Sequence, residues 1–206
     1  MKYRKIILEQ LRELPYFTKN TVRQLCEPYS IQNATVDAYI SRSLKNKDII
    51  SLKKGLYIST DFYNNSKRDI SYLFYLANVI RQPSYISSWT ALQYYNMATE
   101  IIHTITSITP KITRNYKTKI GTFSYQNIKE DLFTDFSLIE SKFSFFIASP
   151  SKALFDLLYF KTNQFRGVKY EDIDLLIEEL RIDTNEMDKG ELEKFYSIIK
   201  NYISNG

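Results

Sequence analysis

The sequence predicts an α+β protein, with an N-terminal winged helix-turn-helix over residues 1–60 and a mixed helix/strand C-terminal domain over residues 68–206. Three observations carry this. Residues 31–58 change from helical to extended periodicity around Lys47 and Asp48. A polar stretch over residues 61–67, with Asp61, Asn64, Asn65 and Ser66, separates two apolar regions and reads as a linker. Charge is also uneven: residues 1–60 hold eleven Lys and Arg against five Asp and Glu, residues 61–128 seven against three, and residues 129–206 ten against fifteen. A basic front and an acidic rear predict a polyanion as partner for the first part and a different partner for the last.

The first predicted helix runs from Lys2 to Leu14, with Ile6, Ile7, Leu11 and Leu14 inward and Pro15 as its stop. A second, capped by Thr18 or Asn20, extends to about Cys26 with Val22 and Leu25 inward before Pro28 breaks the pattern. The third starts at Asn33, read as its N-cap. Val36, Ile40 and Leu44 recur every four residues as a buried stripe, leaving Thr35, Tyr39, Arg42 and Lys45 on other faces. Two β-prone runs follow, Ile49 to Leu52 and Leu56 to Ile58, separated by Lys53-Lys54-Gly55, where glycine permits a tight reversal.

Helix, helix, helix, hairpin is the order of a winged helix-turn-helix, a unit that grips double-stranded DNA. In that reading Thr35 and Tyr39 face the major groove, Arg42 and Lys45 meet phosphates, and Lys53 and Lys54 extend from the wing. Asn33 is committed to capping rather than base readout. Lys2, Arg4, Lys19 and Arg23 are further backbone contacts in principle, with solvated surface as the simpler reading.

Beyond the linker, Ile70 to Ile80 predicts a helix, Pro83 a turn, and Ser87 or Ser88 the cap of a helix carrying Trp89, Leu92 and Tyr95. Strands are expected over Ile101 to Thr109, Lys119 to Tyr125 and Leu138 to Ile147. Ser149 and Pro150 supply an N-cap and an N1 proline for a helix through Phe160 that is apolar on almost every side. Two amphipathic helices close the chain, Tyr170 to Arg181 and Asp188 to Ile203, the second with a capping box at Asp188 and Glu191.

Little points to catalysis, a cofactor or a metal. Cys26 is the single cysteine, so neither a disulfide framework nor a CxxC site is expected. His103 lies in an Ile/Thr strand without Cys or acid at ligand spacing. Trp89, Tyr94 and Tyr95 read as core rather than as a stacking platform. Asp135 with Glu140 and Lys142 echoes the carboxylates and lysine of some metal-dependent nucleases, but five positions are tight for two metal-binding carboxylates, and no enzyme is expected. Lys152 and Asp156, four apart on the apolar helix, read as an internal ion pair, preferred to contact with a partner. A charged N-terminus and no apolar run approaching about 20 residues predict a cytoplasmic protein with no membrane role.

Several of these segments together resemble the AbiEi-type antitoxins of toxin-antitoxin systems with a nucleotidyltransferase-like toxin (type IV). They are AYISRSL from Ala38 to Leu44, KGLY from Lys54 to Tyr57, SWTAL from Ser88 to Leu92 with Glu100 after it, GTFSY from Gly121 to Tyr125, and ASPSKALFDLLY from Ala148 to Tyr159. The last is the most specific: the family's Ala-x-Pro-x-Lys-Ala-Leu-x-Asp pattern is met by Ala148, Pro150, Lys152, Ala153, Leu154 and Asp156. The resemblance implies an antitoxin that represses its own operon at repeated promoter sites and neutralises a cognate toxin in abortive infection and phage defence, without catalysis. The competing readings are a stand-alone winged-helix regulator with a ligand-sensing C-terminal domain and the nuclease built on Asp135, Glu140 and Lys142.

Overall fold

The computed structural model describes residues 3–99 and 104–205, so Lys2, Glu100 and His103, and the side chain of Arg4, lie outside it. Helix α1 (Arg4–Arg12) buries Ile7 and Leu11, whereas Ile6 is exposed. One residue is a rotation of about 100° on a helix, so a face built on positions 7 and 11 turns Ile6 away. Strand β1 (Phe17–Thr18) leads into α2 (Lys19–Cys26), where Thr18 Oγ1 accepts from the Thr21 amide and Thr21 Oγ1 accepts from the Thr18 amide, each at 3.2 Å. This reciprocal cap satisfies two donors that the helix leaves open.

Helix α3 (Asn33–Lys45) begins one residue earlier than expected. Gln32 is the N-cap, in extended backbone and without a side-chain cap bond, and Asn33 is the first helical residue, exposed. Strands β2 (Ile49–Lys53) and β3 (Leu56–Ser59) form an antiparallel hairpin; β1 adds to β3 with Phe17 opposite Tyr57, giving the order β1-β3-β2. Gly55 at the reversal has φ +80°, the left-handed backbone that glycine tolerates.

This three-stranded sheet stands between two cores. Ile49, with Tyr57 half-buried, packs on the helices with Ile7, Leu11, Val22, Val36 and Ile40, while Ile50, Leu52, Leu56 and Ile58 on the opposite side join the core of the second half. Residues 61–67 are correspondingly no polar linker: helix α4 (Thr60–Ser66) occupies them, capped by Ser59, with Ser66 buried and Asp61 paired to Arg12 at 2.6 Å. Asn64 and Asn65 are polar because they face outward on a helix, which mimics a loop in composition.

A hydrogen bond also ties the two parts, from the Tyr72 hydroxyl to the Pro15 carbonyl at 2.6 Å, with the Tyr72 ring fully buried. Tyr72→Phe keeps the ring and removes the donor. We expect it to lower unfolding stability by about 1 kcal/mol, read from the urea midpoint; an unchanged midpoint would discount this tie.

The second half is a mixed six-stranded sheet in the order β6-β7-β5-β4-β9-β8. Its strands are β4 (Tyr85–Ile86), β5 (Thr104–Thr109), β6 (Arg114–Thr118), β7 (Gly121–Asn127), β8 (Phe136–Ile139) and β9 (Phe145–Ala148). The pairs β5/β7 and β4/β9 are parallel and the rest antiparallel. The single strand expected over 138–147 is therefore a hairpin that turns at residues 140–144, and Lys119 belongs to the turn between β6 and β7. Helix α5 (Ile70–Ile80) covers one face, where the Tyr125 hydroxyl reaches the Ala77 carbonyl at 2.6 Å. On the other side lie α6 (Ser88–Tyr94) and α7 (Pro150–Lys161), with α8 (Ile173–Glu179) and α9 (Lys189–Asn205) following. Glu191 does not complete a capping box. Its amide donates to Asp188, but its carboxylate accepts from the Ser151 amide at 2.9 Å, satisfying the first turn of α7 instead. Among the described residues, no helix is long and apolar enough to cross a membrane.

Candidate nucleic-acid interface

The inner face of α3 consists of Val36, Tyr39, Ile40 and Ser43, all buried. Tyr39, expected in the groove, is only 3% exposed and belongs to the core. The helical angle explains this: the buried centre lies between Val36 and Ser43, and Tyr39 flanks it while Leu44 drifts outward. What remains outside is a narrow face. Arg42 and Lys45 are exposed, Thr35 is half-buried at its edge, and Ala34, Ala38 and Ser41 are interposed. Their small side chains leave the backbone of α3 open to close approach from outside.

Asp37 is the only acidic residue in α3, and Lys19 of α2 forms an ion pair with it. Lys19 thereby offsets the one acidic charge of α3. Arg23 is likewise engaged, donating to Asn20 Oδ1 at 3.3 Å.

At the hairpin the two lysines part company. Lys54 is exposed at the tip beside Gly55. Lys53 is half-buried, and its ammonium donates to the Ile80 carbonyl at 2.5 Å, at the C-terminal end of α5. A cation is favoured there because the last carbonyls of a helix lack partners. A β-bulge between Ser51 and Lys53 accompanies this displacement, with Ser51 Oγ donating to the Lys53 carbonyl at 3.2 Å. Lys53 is therefore a tie between the two parts and not a free wing residue.

Strand β2 also packs along β6, the edge strand of the large sheet. Arg114 and Lys117 on β6 and Lys119 in the next turn are exposed, so positive charge continues beyond the hairpin. Although burial works to raise it, the Tyr116 hydroxyl is held below its ordinary pKa by Arg114 and Arg81. No periodicity in the sequence relates residues 114–119 to residues 53 and 54, and only the long-range packing joins them.

Lys152 and Asp156 form the expected ion pair, at 2.5 Å and essentially without exposure. Its remaining partners are side chains from β4 and the turn after it. Tyr85 donates its hydroxyl to Asp156 Oδ2 at 3.1 Å and Ser87 donates to the same oxygen at 2.6 Å. Burial pushes the Asp156 carboxyl up, while Lys152, Ser87 and Tyr85 pull it back. The Lys152 ammonium also lies 4.9 Å from the Phe155 ring centroid. The commitment of Ser87 to Asp156 explains why this N-cap residue of α6 makes no side-chain capping bond.

The nuclease-like residues are not brought together. Asp135 and Glu140 flank the four residues of β8, a run of roughly 16 Å at about 3.3 Å per residue. Asp135 pairs with Lys194 at 2.6 Å; burial acts to raise its pKa, but Lys194 and Thr134 hold it below the usual carboxylate range. Glu140 and Lys142 are exposed in the β8 to β9 turn. Among the described residues, no group of three or more His, Cys, Asp or Glu is placed to hold a metal ion. Trp89 and Tyr95 are half-buried against the main core and Tyr94 is more exposed, so they make no open platform.

No protein-family model matches the chain, and no curated protein is significantly similar to it.

Proposed function

We propose that this protein is a double-stranded DNA-binding repressor whose first part is a winged helix, and that it serves as the antitoxin to a nucleotidyltransferase-like toxin. The observation that carries the DNA reading is the outer face of α3, where small side chains alternate with Arg42 and Lys45 and the sole acid is neutralised by Lys19. Alanine and serine let the helix backbone approach base edges, while Thr35 is placed for an apolar or hydroxyl contact in the major groove. Lys54 at the hairpin tip supplies the wing contact, and Arg114, Lys117 and Lys119 extend the phosphate-binding surface. Repression follows by occupying a promoter.

The antitoxin reading rests on the resemblance centred on Ala148 to Tyr159. In the fold that motif builds the buried helix α7, so its Lys152 and Asp156 support the domain that opposes the toxin instead of touching the toxin directly. Cytoplasmic placement and the absence of catalysis belong to this same proposal.

The test has two arms. Full-length protein is titrated against a labelled duplex of its own upstream region and a scrambled duplex, and is co-expressed with the adjacent gene. Preference for the upstream duplex and restored growth are expected. Equal binding to both duplexes removes the repressor, and growth arrest that persists removes the antitoxin.

A further inference from the structure

A parallel strand pair is normally buried by apolar side chains on both faces. The pair β5/β7 departs from this on one side. Phe123 and Tyr125 are fully buried on one face, but the opposite face presents Thr104, Thr106, Ser124 and Gln126 toward α7, with Thr106 directly across from Ser124. Together with Ser88, Trp89 and α7 they line a cavity of about 200 Å³ that is open to solvent. No hydrogen bond from these four sheet side chains or from Ser88 is formed to any described residue. Ser88 is 96% buried by the complement of its 4% exposure and has φ +55°, a left-handed conformation uncommon for serine. Its neighbour Ser87 is anchored by Asp156, so the buried ion pair of α7 fixes the backbone that offers Ser88 to the cavity.

We infer that this cavity binds a small sugar phosphate. Uncommitted hydroxyls and an amide, each both donor and acceptor, match a polyol. Trp89 and Phe160 supply apolar walls suited to the C–H face of a sugar ring, and the exposed Lys161 at the lining supplies a single cation for a phosphate. The volume is below the pockets of about 300 Å³ or more that take drug-sized ligands. It therefore suits a phosphorylated pentose better than a whole nucleotide. The inference does not depend on DNA binding or on the toxin, and it gives the C-terminal domain a ligand site of its own.

The test is calorimetric titration of the full chain, without DNA, against ribose 5-phosphate, ribose, adenosine monophosphate and inorganic phosphate. Thr106→Val with Ser124→Ala removes two hydroxyls at nearly constant volume, and Lys161→Gln removes the cation. Ribose 5-phosphate is expected to bind more tightly than the other three. The hydroxyl double variant should weaken it by a factor of about 10 or more, since each lost hydrogen bond is worth several-fold. Lys161→Gln should weaken ribose 5-phosphate but leave ribose unchanged. Tighter binding of the monophosphate would assign the site to a nucleotide and overturn the pentose. Equal binding of inorganic phosphate, insensitive to the double variant, would show only general anion attraction to a basic protein and overturn the site, as would no heat at two temperatures from any probe at about 1 mM, where a dissociation constant corresponds to about 4 kcal/mol. Urea midpoints of both variants matching the parent separate lost binding from lost folding.

Discussion

Asp156→Ala is expected to destabilise the protein by about 3–5 kcal/mol, because it strands the Lys152 ammonium in a site with almost no access to water. Lys152→Ala strands the carboxylate and should cost a similar amount. Against a total stability of about 5–15 kcal/mol for a domain, either change endangers the fold. Replacing a buried pair with apolar residues of similar size is often neutral, which suggests Lys152→Met with Asp156→Leu as the rescue. Here the rescue should be incomplete. Tyr85 and Ser87 would lose their common acceptor, leaving two buried hydroxyls unsatisfied at about 1–3 kcal/mol each. Adding Tyr85→Phe and Ser87→Ala should recover most of that loss.

Urea denaturation of the set therefore predicts an order: parent, then the fourfold variant, then the apolar pair, with either single alanine lowest. A single alanine costing under about 1 kcal/mol would sink the account of a dry, mutually dependent network. The same series bears on function. If the fourfold variant folds and still rescues growth, the family-like motif is a device of stability. If it folds and does not rescue where the parent does, the charges serve the proposed antitoxin role directly.

The sequence displayed the near members of this network and hid the far ones. Ser149 and Pro150 announce the start of α7, and the spacing of Lys152 and Asp156 places them on adjacent turns. Tyr85 and Ser87 are 71 and 69 residues away from Asp156, and only the sheet delivers them. The tie made by Lys53 is hidden for the same reason, since its acceptor lies 27 residues ahead on a helix end that local pattern does not connect to the hairpin. The burial of Tyr39 has a different cause. Three aliphatic residues at spacing four suggested a stripe too narrow and centred too far toward Leu44, when the helix buries a broader face. Helix α5 is legible to the residue, because Ile70 to Ile80 is a largely apolar stretch with neither Gly nor Pro until Pro83. The β8/β9 hairpin is not, since Glu140 to Ser144 contain no Gly, Pro, Asn or Asp to mark the turn.

The separation of Lys53 from Lys54 gives the sharpest result expected of the proposed DNA interface. Each phosphate contact releases counterions, so the slope of log affinity against log salt changes by about 0.9 per contact on duplex DNA. Arg42→Ala, Lys45→Ala and Lys54→Ala combined should flatten the slope by up to about 2.7 and weaken binding to promoter and scrambled duplex alike. All three side chains are exposed, so unfolding stability, read from urea denaturation, should stay within about 0.5 kcal/mol of the parent. Lys53→Met should do the reverse. Its ammonium is spent on the Ile80 carbonyl, so losing it should cost roughly 1–3 kcal/mol of stability and leave the slope nearly intact. A third substitution isolates readout from grip: Ala34→Leu adds bulk to the exposed face of α3 without altering charge, and should erase the preference for the promoter duplex while preserving the slope. Fluorescence anisotropy at four or more salt concentrations measures all of these, with about 50–200 mM as the informative range. An unchanged slope in the triple variant would remove α3 and the hairpin from the phosphate surface. A slope flattened as much by Lys53→Met as by Lys54→Ala would mean that the Ile80 bond gives way when DNA arrives, so that docking of the hairpin on α5 and binding of DNA compete for one lysine.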